Sequence, residues 1–393
     1  MLRKMALKLL LRKWKQGGFK VVFWDGEQET YGNEPPSFTI TFKQEPPLKI
    51  SSDDAVLLFG EAYMDGIIEI EGSMDDVLRV IALNNHSQAS VAYTAKKTNA
   101  RSDPAAQQRN IHHHYDLGND FFKLWLDETM SYSCAYFKTP EDSLTQAQLQ
   151  KIDHILKKIN LRPGDRLLDI GSGWGWLIIK AAQQYHVKAT GITLSTEQYQ
   201  GTKQRIRELG LEQQVDVQLV NYQELDASKL RFDKIVSVGM FEHAGKENLA
   251  GYMRKVNELL VPGGLSLLHT ITGMFEETGN AWIGKYIFPG GYVPSLRETV
   301  WLLPQFDFHL LHAESLRLHY AMTLDRWYKN FADRLDAVRS MYDERFIRMW
   351  SLYLRGCAAA FRVSGLDVHQ LLFSKGLNNH IPLTYQQLYH DAI

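Results

Sequence analysis

The chain has 393 residues, 45% hydrophobic and 23% charged, which is more than one typical domain and ample for a sizeable core. Its net charge of -1 and isoelectric point near 6.9 lack the basic excess of a general nucleic-acid binder, so any electrostatic targeting has to be local. Cys134 and Cys357 are the two cysteines; they exclude a disulfide framework, lack C-x-x-C spacing and accord with a reducing cytoplasm.

The first 20 residues carry seven Lys or Arg and no acid. Leu7, Leu10, Leu11 and Trp14 follow i, i+3, i+4, i+7 with Lys4, Lys8, Arg12 and Lys15 on the flank, which predicts a basic amphipathic helix. Such a helix can lie on an anionic bilayer, pack on its own domain or touch nucleic acid, and the segment alone leaves these open. FKVVFW, the Asp25-Gly26 turn, a second short run and SFTITF predict antiparallel sheet. A helix is expected over residues 54–64, a strand over 67–72, and a helix after Ser73, whose spacing to Asp76 resembles a capping box. Residues 1–86 thus read as a small α+β domain for lipid or membrane docking, 87–111 as a polar linker, and 112–393 as a catalytic domain. No run approaches the ~20 apolar residues of a membrane span, and the start lacks a signal-peptide core.

Beyond the linker, helical patterns alternate with RLLDI, VKATGI, VDVQLV, FDKIVSV and LSLLHTI. That alternation predicts an α/β fold with a mainly parallel sheet covered on both faces. Gly171, Gly173 and Gly175 follow the first of these strands, where a glycine turn brings backbone N–H groups close to a ligand at a helix N-terminus. Trp176 stands where a dinucleotide G-x-G-x-x-G pattern needs glycine. Asp169 with the alternate glycines instead resembles the first motif of class I S-adenosylmethionine methyltransferases, a Rossmann-like fold, and the Pro-Gly-Gly turn of LVPGGLSLLHT suits its late strand. The second strand offers no acid for a ribose at its end, so Thr193 and Gln198 would have to serve. The His112-His113-His114 run is rejected as a metal site, because consecutive residues share no face and nothing completes a ligand set.

HYDLGNDFFKLWLDETMSYSCAYF, LLDIGSGWGW, TLSTEQ, GMFEHAG, LHTI, FPGGYVPS, LHYAMTLDRW and LRGCAAAFR, in this order, resemble the cyclopropane-fatty-acyl-phospholipid synthases and the related mycolic acid cyclopropane synthases. The resemblance implies a cofactor site for S-adenosylmethionine at Tyr132, Ser133, Asp169, Gly171, Gly173, Gly175, Thr193, Leu194, Ser195, Gln198, Tyr222 and Gln223. It implies a catalytic set of Cys134, Glu242, His269, the backbone of Ile271, and Tyr320, together holding bicarbonate. Taken singly these are a buried cysteine, a helix-starting acid, a core histidine and a core aromatic; the placement of Glu242 and His269 near carboxyl ends of parallel strands favours function.

The implied reaction moves a methylene group from S-adenosylmethionine to the cis double bond of an unsaturated acyl chain in a membrane phospholipid. An alkene is a poor nucleophile, so the reactants must be aligned in a site sealed from water, with aromatic faces stabilising the carbocation until a base removes a methyl proton. The alternative is a methyltransferase for a small amine or hydroxyl substrate; a lipid-binding protein with an inactive cofactor fold is opposed by the intact glycine loop. The expected partner is a phospholipid bilayer, met peripherally at the cytoplasmic face and with anionic lipid favoured, without nucleic acid. A homodimer is left open, and Cys357 reads as a packed structural thiol, with a catalytic role left open.

Overall fold

A computed structural model describes residues 2–46, 55–85, 118–276 and 280–389. The linker at 87–111 and the His112-His113-His114 run lie outside these residues. Contacts divide the chain into one compact unit of Met1–Thr98, Gly279–Pro289 and Leu324–Gly365, and a second of Asn99–Thr278, Gly290–Thr323 and Leu366–Ile393. The sequence-based division at 86 and 112 is a linear one, and it leaves out two later segments that pack with the N-terminal elements. The amphipathic helix Glu344–Val363 supplies the reason, since it buries Ile347, Trp350 and Leu354 within the first unit.

In that unit α1 (Leu2–Leu11) precedes β1 (Gly18–Val22), β2 (Gln28–Gly32) and β3 (Phe38–Phe42); α2 (Ala55–Met64), β4 (Ile68–Gly72) and α3 (Met74–Asn85) follow. The sheet order is β2-β1-β3-β4, and it departs from the all-antiparallel expectation because β1 and β3 run parallel. After the β1–β2 hairpin the chain crosses beneath the start of β1, where the Asn33 and Glu34 amides both donate to the Gly17 carbonyl. A Cβ on Gly18 would stand 2.1 Å from the Glu34 carbonyl oxygen, so this crossing requires glycine. Alternation puts Phe19, Val21, Phe38 and Ile40 inside, and Phe19 stacks on Tyr31 and Phe38 with ring centroids 5.4 Å from each. Ser73 begins α3 by accepting the Asp75 amide at 3.1 Å.

The basic face of α1 is turned onto acids of the same unit. Lys4 holds Asp25 and Glu27, Lys8 reaches Glu27 at 2.5 Å and Glu29 at 3.2 Å, and Arg12 meets Glu29 at 3.0 Å. Leu7 is buried, whereas Met5 and Leu9 are each 59% exposed. Of the readings left open by the sequence, packing on its own domain is the one these contacts support.

The second unit holds α4 (Leu144–Lys158), β5 (Arg166–Ile170), α5 (Trp176–Tyr185), β6 (Lys188–Thr193), α6 (Thr196–Glu208), β7 (Val215–Leu219), β8 (Phe232–Val238), α7 (Leu249–Leu259), β9 (Leu260–Gly273), β10 (Phe308–Ser315) and β11 (Leu366–Lys375); α8 (Arg317–Ala332) begins in it. The sheet order is β10-β11-β9-β8-β5-β6-β7, with β7 through β9 parallel and β11 and β10 antiparallel. Apolar runs such as Leu167–Leu168 in β5 and Ile235–Val236 in β8 are buried, as a sheet covered on both faces requires. The chain builds from β5 toward β6 and β7, then returns to the other side with β8. The switch between β5 and β8 opens a crevice beyond their carboxyl ends, the usual ligand position in such sheets. Pro262-Gly263-Gly264 is a break in the β8–β9 pairing, which passes from Phe232↔Leu260 to Lys234↔Leu265.

Candidate active site

The glycine loop after β5 lies in the second unit at that crevice. Gly171, Gly173 and Gly175 have φ of 85°, 53° and 80°, a left-handed region that side-chain-bearing residues avoid. Their surroundings differ. A Cβ on Gly175 would stand 2.3 Å from Thr202 Cγ2, whereas one on Gly173 would meet no atom within 4 Å. Gly175 therefore serves the close approach of α6 to the start of α5, and Gly173 leaves space for a ligand.

One cleft is lined by Tyr132, Ser133, Asp169, Gly171, Gly173, Thr193, Leu194, Ser195, Gln198 and Tyr222. Gly175 and Gln223 stand outside its lining. Asp169 Oδ1 is buried without a hydrogen-bond partner, and burial pushes this carboxyl up to about 7 against the pull of Lys151. At the end of β6 the Thr193 hydroxyl donates to Gln198 Oε1 at 2.7 Å, and Ser195 caps α6 by accepting the Gln198 amide at 3.3 Å. Gln198 thus keeps its Nε2 donors for a ligand. Tyr222 is buried, its ring set edge-on to Tyr252 at 5.4 Å, while Gln223 Nε2 donates to the Tyr222 hydroxyl at 3.3 Å. An orphaned carboxylate oxygen, a backbone cradle, a polar turn and a flat aromatic face suit the ammonium, the sulfonium chain, the ribose and the adenine of S-adenosylmethionine.

Sequence reasoning missed Lys151, Met240 and His243, which also line the cleft. Lys151 is buried and donates to Ser133 Oγ at 2.9 Å. Burial lowers it to about 8, opposed by Asp127, Cys134 and Asp169. The missed signal is a lysine on the face of α4 that also carries Ile155, a position where burial demands a partner.

Of the implied catalytic set, Glu242 and Ile271 are in direct contact. Glu242, in the short turn Phe241–His243 after β8, accepts the Ile271 amide through Oε1 at 2.6 Å, and its Oε2 is buried without a partner. Burial pushes the carboxyl up to about 7 despite that hydrogen bond. His269 lies two residues earlier on the same face of β9, its carbonyl accepting the Gly239 amide at 2.9 Å. Burial, then the charges of Lys151 and Lys158, hold its imidazole well below the usual range.

Cys134 and Tyr320 reach this end of the sheet through β11. Ile271 pairs with Val368, whose carbonyl accepts the Leu316 amide at 2.7 Å. The Leu316 carbonyl in turn accepts the Tyr320 amide at 3.0 Å and lies 3.8 Å from the Cys134 sulfur. Burial drives the Cys134 thiol far above its ordinary value, which keeps it protonated and neutral. Cys357 belongs to the first unit, in the helix Glu344–Val363, and burial around it pushes its thiol up to about 12.

The profile of the mycolic acid cyclopropane synthetase family matches residues 102–371, and that of a domain of unknown function matches 6–92. A cyclopropane-fatty-acyl-phospholipid synthase of Escherichia coli K12 is 39% identical over 332 residues, 81% of this chain and 83% of that one. A probable fatty acid methyltransferase of Pseudomonas putida is 36% identical over 379 residues, 94% of this chain and 96% of that one. The solved cyclopropane synthase MmaA2 of Mycobacterium tuberculosis superposes with a TM-score of 0.65 at 35% identity, covering 68% of this chain and 98% of its own. A coclaurine N-methyltransferase, at 21% identity and a TM-score of 0.64, shares the fold alone. With the S-adenosylmethionine-type cleft, the paired Glu242 and Ile271 and a match over more than half its length, the chain belongs to the mycolic acid cyclopropane synthetase family.

Proposed function

We propose that the chain transfers a methylene group from S-adenosylmethionine to the cis double bond of an unsaturated acyl chain in a membrane phospholipid, closing a cyclopropane ring with bicarbonate as the base. The observation that carries this reading is the buried, unpartnered Oε2 of Glu242. A carboxyl of pKa about 7 can share one proton with a neighbouring anion, whereas two full negative charges would repel. S-adenosylmethionine supplies an electrophilic methyl group, and bicarbonate a small base that is not part of the chain.

The chain's own residues bind and orient. Asp169, the Gly171–Gly173 backbone, Gln198 and Tyr222 hold the cofactor; Glu242, the Ile271 amide, His269, Cys134 and Tyr320 form the base site. Buried Phe122 and Trp125, packed on Tyr132 at 5.5 and 5.4 Å, keep that end of the cleft apolar, which slows water capture of a carbocation. The synthase of E. coli K12 supports the phospholipid substrate. The P. putida relative covers more of the chain and is named for methyl transfer to a fatty acid, so an unclosed methyl branch is the second reading.

Among the described residues no helix is long and apolar enough to cross a membrane, and we place the protein peripherally at the cytoplasmic face. Because Lys4, Lys8 and Arg12 are engaged by acids, a preference for anionic lipid draws on the exposed Lys13 and Lys15. The test is mass spectrometry of unsaturated phospholipid vesicles incubated with protein and S-adenosylmethionine, with and without bicarbonate. A bicarbonate-dependent gain of one CH2 per double bond, mapped to a ring, is expected. A methyl branch selects the second reading, and untouched acyl chains refute both.

A further inference from the structure

Helix α4 carries an unusual buried face. Gln148, Lys151, His154 and Lys158 point inward beside Ile152, Ile155 and Leu156, and the Lys158 side chain is fully buried. A buried ammonium persists only with compensating partners. Lys158 Nζ lies 2.5 Å from Glu314 Oε2 and 2.7 Å from Gln370 Oε1. His154 Nε2 shares the same Glu314 oxygen at 2.6 Å, and the Tyr389 hydroxyl donates to its Oε1 at 3.2 Å. Although burial opposes it, the His154 hydrogen bond and the Lys158 charge hold the Glu314 carboxyl at about 2.

Gln370 is 0% exposed and lies directly across the β9–β11 ladder from His269. Its Nε2 is 3.2 Å from His269 Nδ1. The chemistry of the donors decides which way round this contact works. An ammonium only donates, so Lys158 must face the amide oxygen, and the amide nitrogen, which only donates, must then face the ring. His269 Nδ1 is therefore an acceptor and carries no proton.

We propose that Lys158, clamped by Glu314, sets the tautomer of His269 through Gln370, so that the neutral imidazole carries its proton on Nε2. His269 then gives the site a fixed hydrogen-bond donor and is not its base. The opposite tautomer would present a lone pair from Nε2. Gln370, Lys158 and Glu314 are positioning residues. The value of the donor for catalysis rests on the bicarbonate reading above; the tautomer itself does not.

The full chain labelled with 15N-histidine tests this by long-range proton–nitrogen correlation, His269 being assigned by its loss in His269→Gln. A bare Nδ1 and a protonated Nε2 at neutral pH are expected, and the reverse pattern overturns the proposal. Gln370→Glu is nearly isosteric and keeps a partner for Lys158, but its carboxylate has no proton to donate. The His269 proton should move to Nδ1, with kcat reduced on the order of 10- to 100-fold and the KM for S-adenosylmethionine unchanged. An unmoved proton in Gln370→Glu overturns the relay. Should Gln370→Glu not fold, Gln370→Leu, which removes the amide altogether, is expected to lose the single-tautomer pattern, and its retention overturns the relay. A shifted tautomer in an enzyme indifferent to bicarbonate would uphold the relay and sink the bicarbonate reading.

Discussion

Glu242 Oε1 and the Ile271 amide are 2.6 Å apart, so a loop acid after one parallel strand is tied to the backbone of the next. This contact leaves one buried carboxylate oxygen available to the reaction. Glu242→Gln keeps an oxygen for the Ile271 amide and removes the titration. Turnover should fall by about 100-fold or more, while S-adenosylmethionine affinity by calorimetry stays near that of the parent. Equal losses in both would remove Glu242 from the base site.

The same substitution has a pH signature. The folded pKa of about 7 lies above the ordinary 4.5, so the native state binds this proton more tightly than the unfolded chain does. The stability it contributes is present below pH 4.5 and declines as pH rises through 7. Unfolding free energies of Glu242→Gln and parent, measured by denaturant titration from pH 5 to 8.5, should diverge in favour of the variant as pH rises, by up to about 3 kcal/mol. A constant difference would mean that Glu242 titrates normally.

Gly173 and Gly175 should fail differently. Gly175→Ala drives a methyl group into Thr202 and should lower the thermal midpoint. Gly173→Val meets open space in the fold but occupies the ligand side of the loop, so cofactor binding should vanish with a smaller loss of stability, set by the positive φ. Parent-like affinity in Gly173→Val, measured by calorimetry, would show that the loop does not face the cofactor.

Asp169, held up to about 7, gains its charge in the physiological range. Affinity for S-adenosylmethionine should strengthen between pH 6 and 7.5, by at most about tenfold per unit. In Asp169→Asn the affinity should be weaker and its pH dependence flat. Titration calorimetry across this range decides, and an unchanged slope in the variant would detach Asp169 from the cofactor ammonium.

Charge reversal at Lys4, Lys8 and Arg12 should lower the thermal midpoint without any membrane present, because it sets glutamates against Asp25, Glu27 and Glu29. Reversal at Lys13 and Lys15 should leave the midpoint unchanged and weaken sedimentation with anionic vesicles. Vesicle binding that survives the second reversal would place the membrane contact elsewhere.

The sequence by itself determined the parallel strands, the glycine loop and the cofactor cleft. Those features are local: Leu167, Leu168 and Ile170 are apolar because both faces of β5 are covered, and Gly171, Gly173 and Gly175 sit at the alternate positions where the backbone turns left-handed. Tertiary structure decided what depends on partners distant in the chain. The basic stripe of α1 looks identical in sequence whether it meets phosphates or carboxylates, and only the hairpin holding Asp25, Glu27 and Glu29 resolves it. The parallel pairing of β1 with β3 depends on a crossing under Gly17 and Gly18. Lys158, Glu314, Gln370 and His269 come from a helix and three different strands, each unremarkable in its own segment. Their meaning appears only when burial removes water and obliges every donor to find an acceptor.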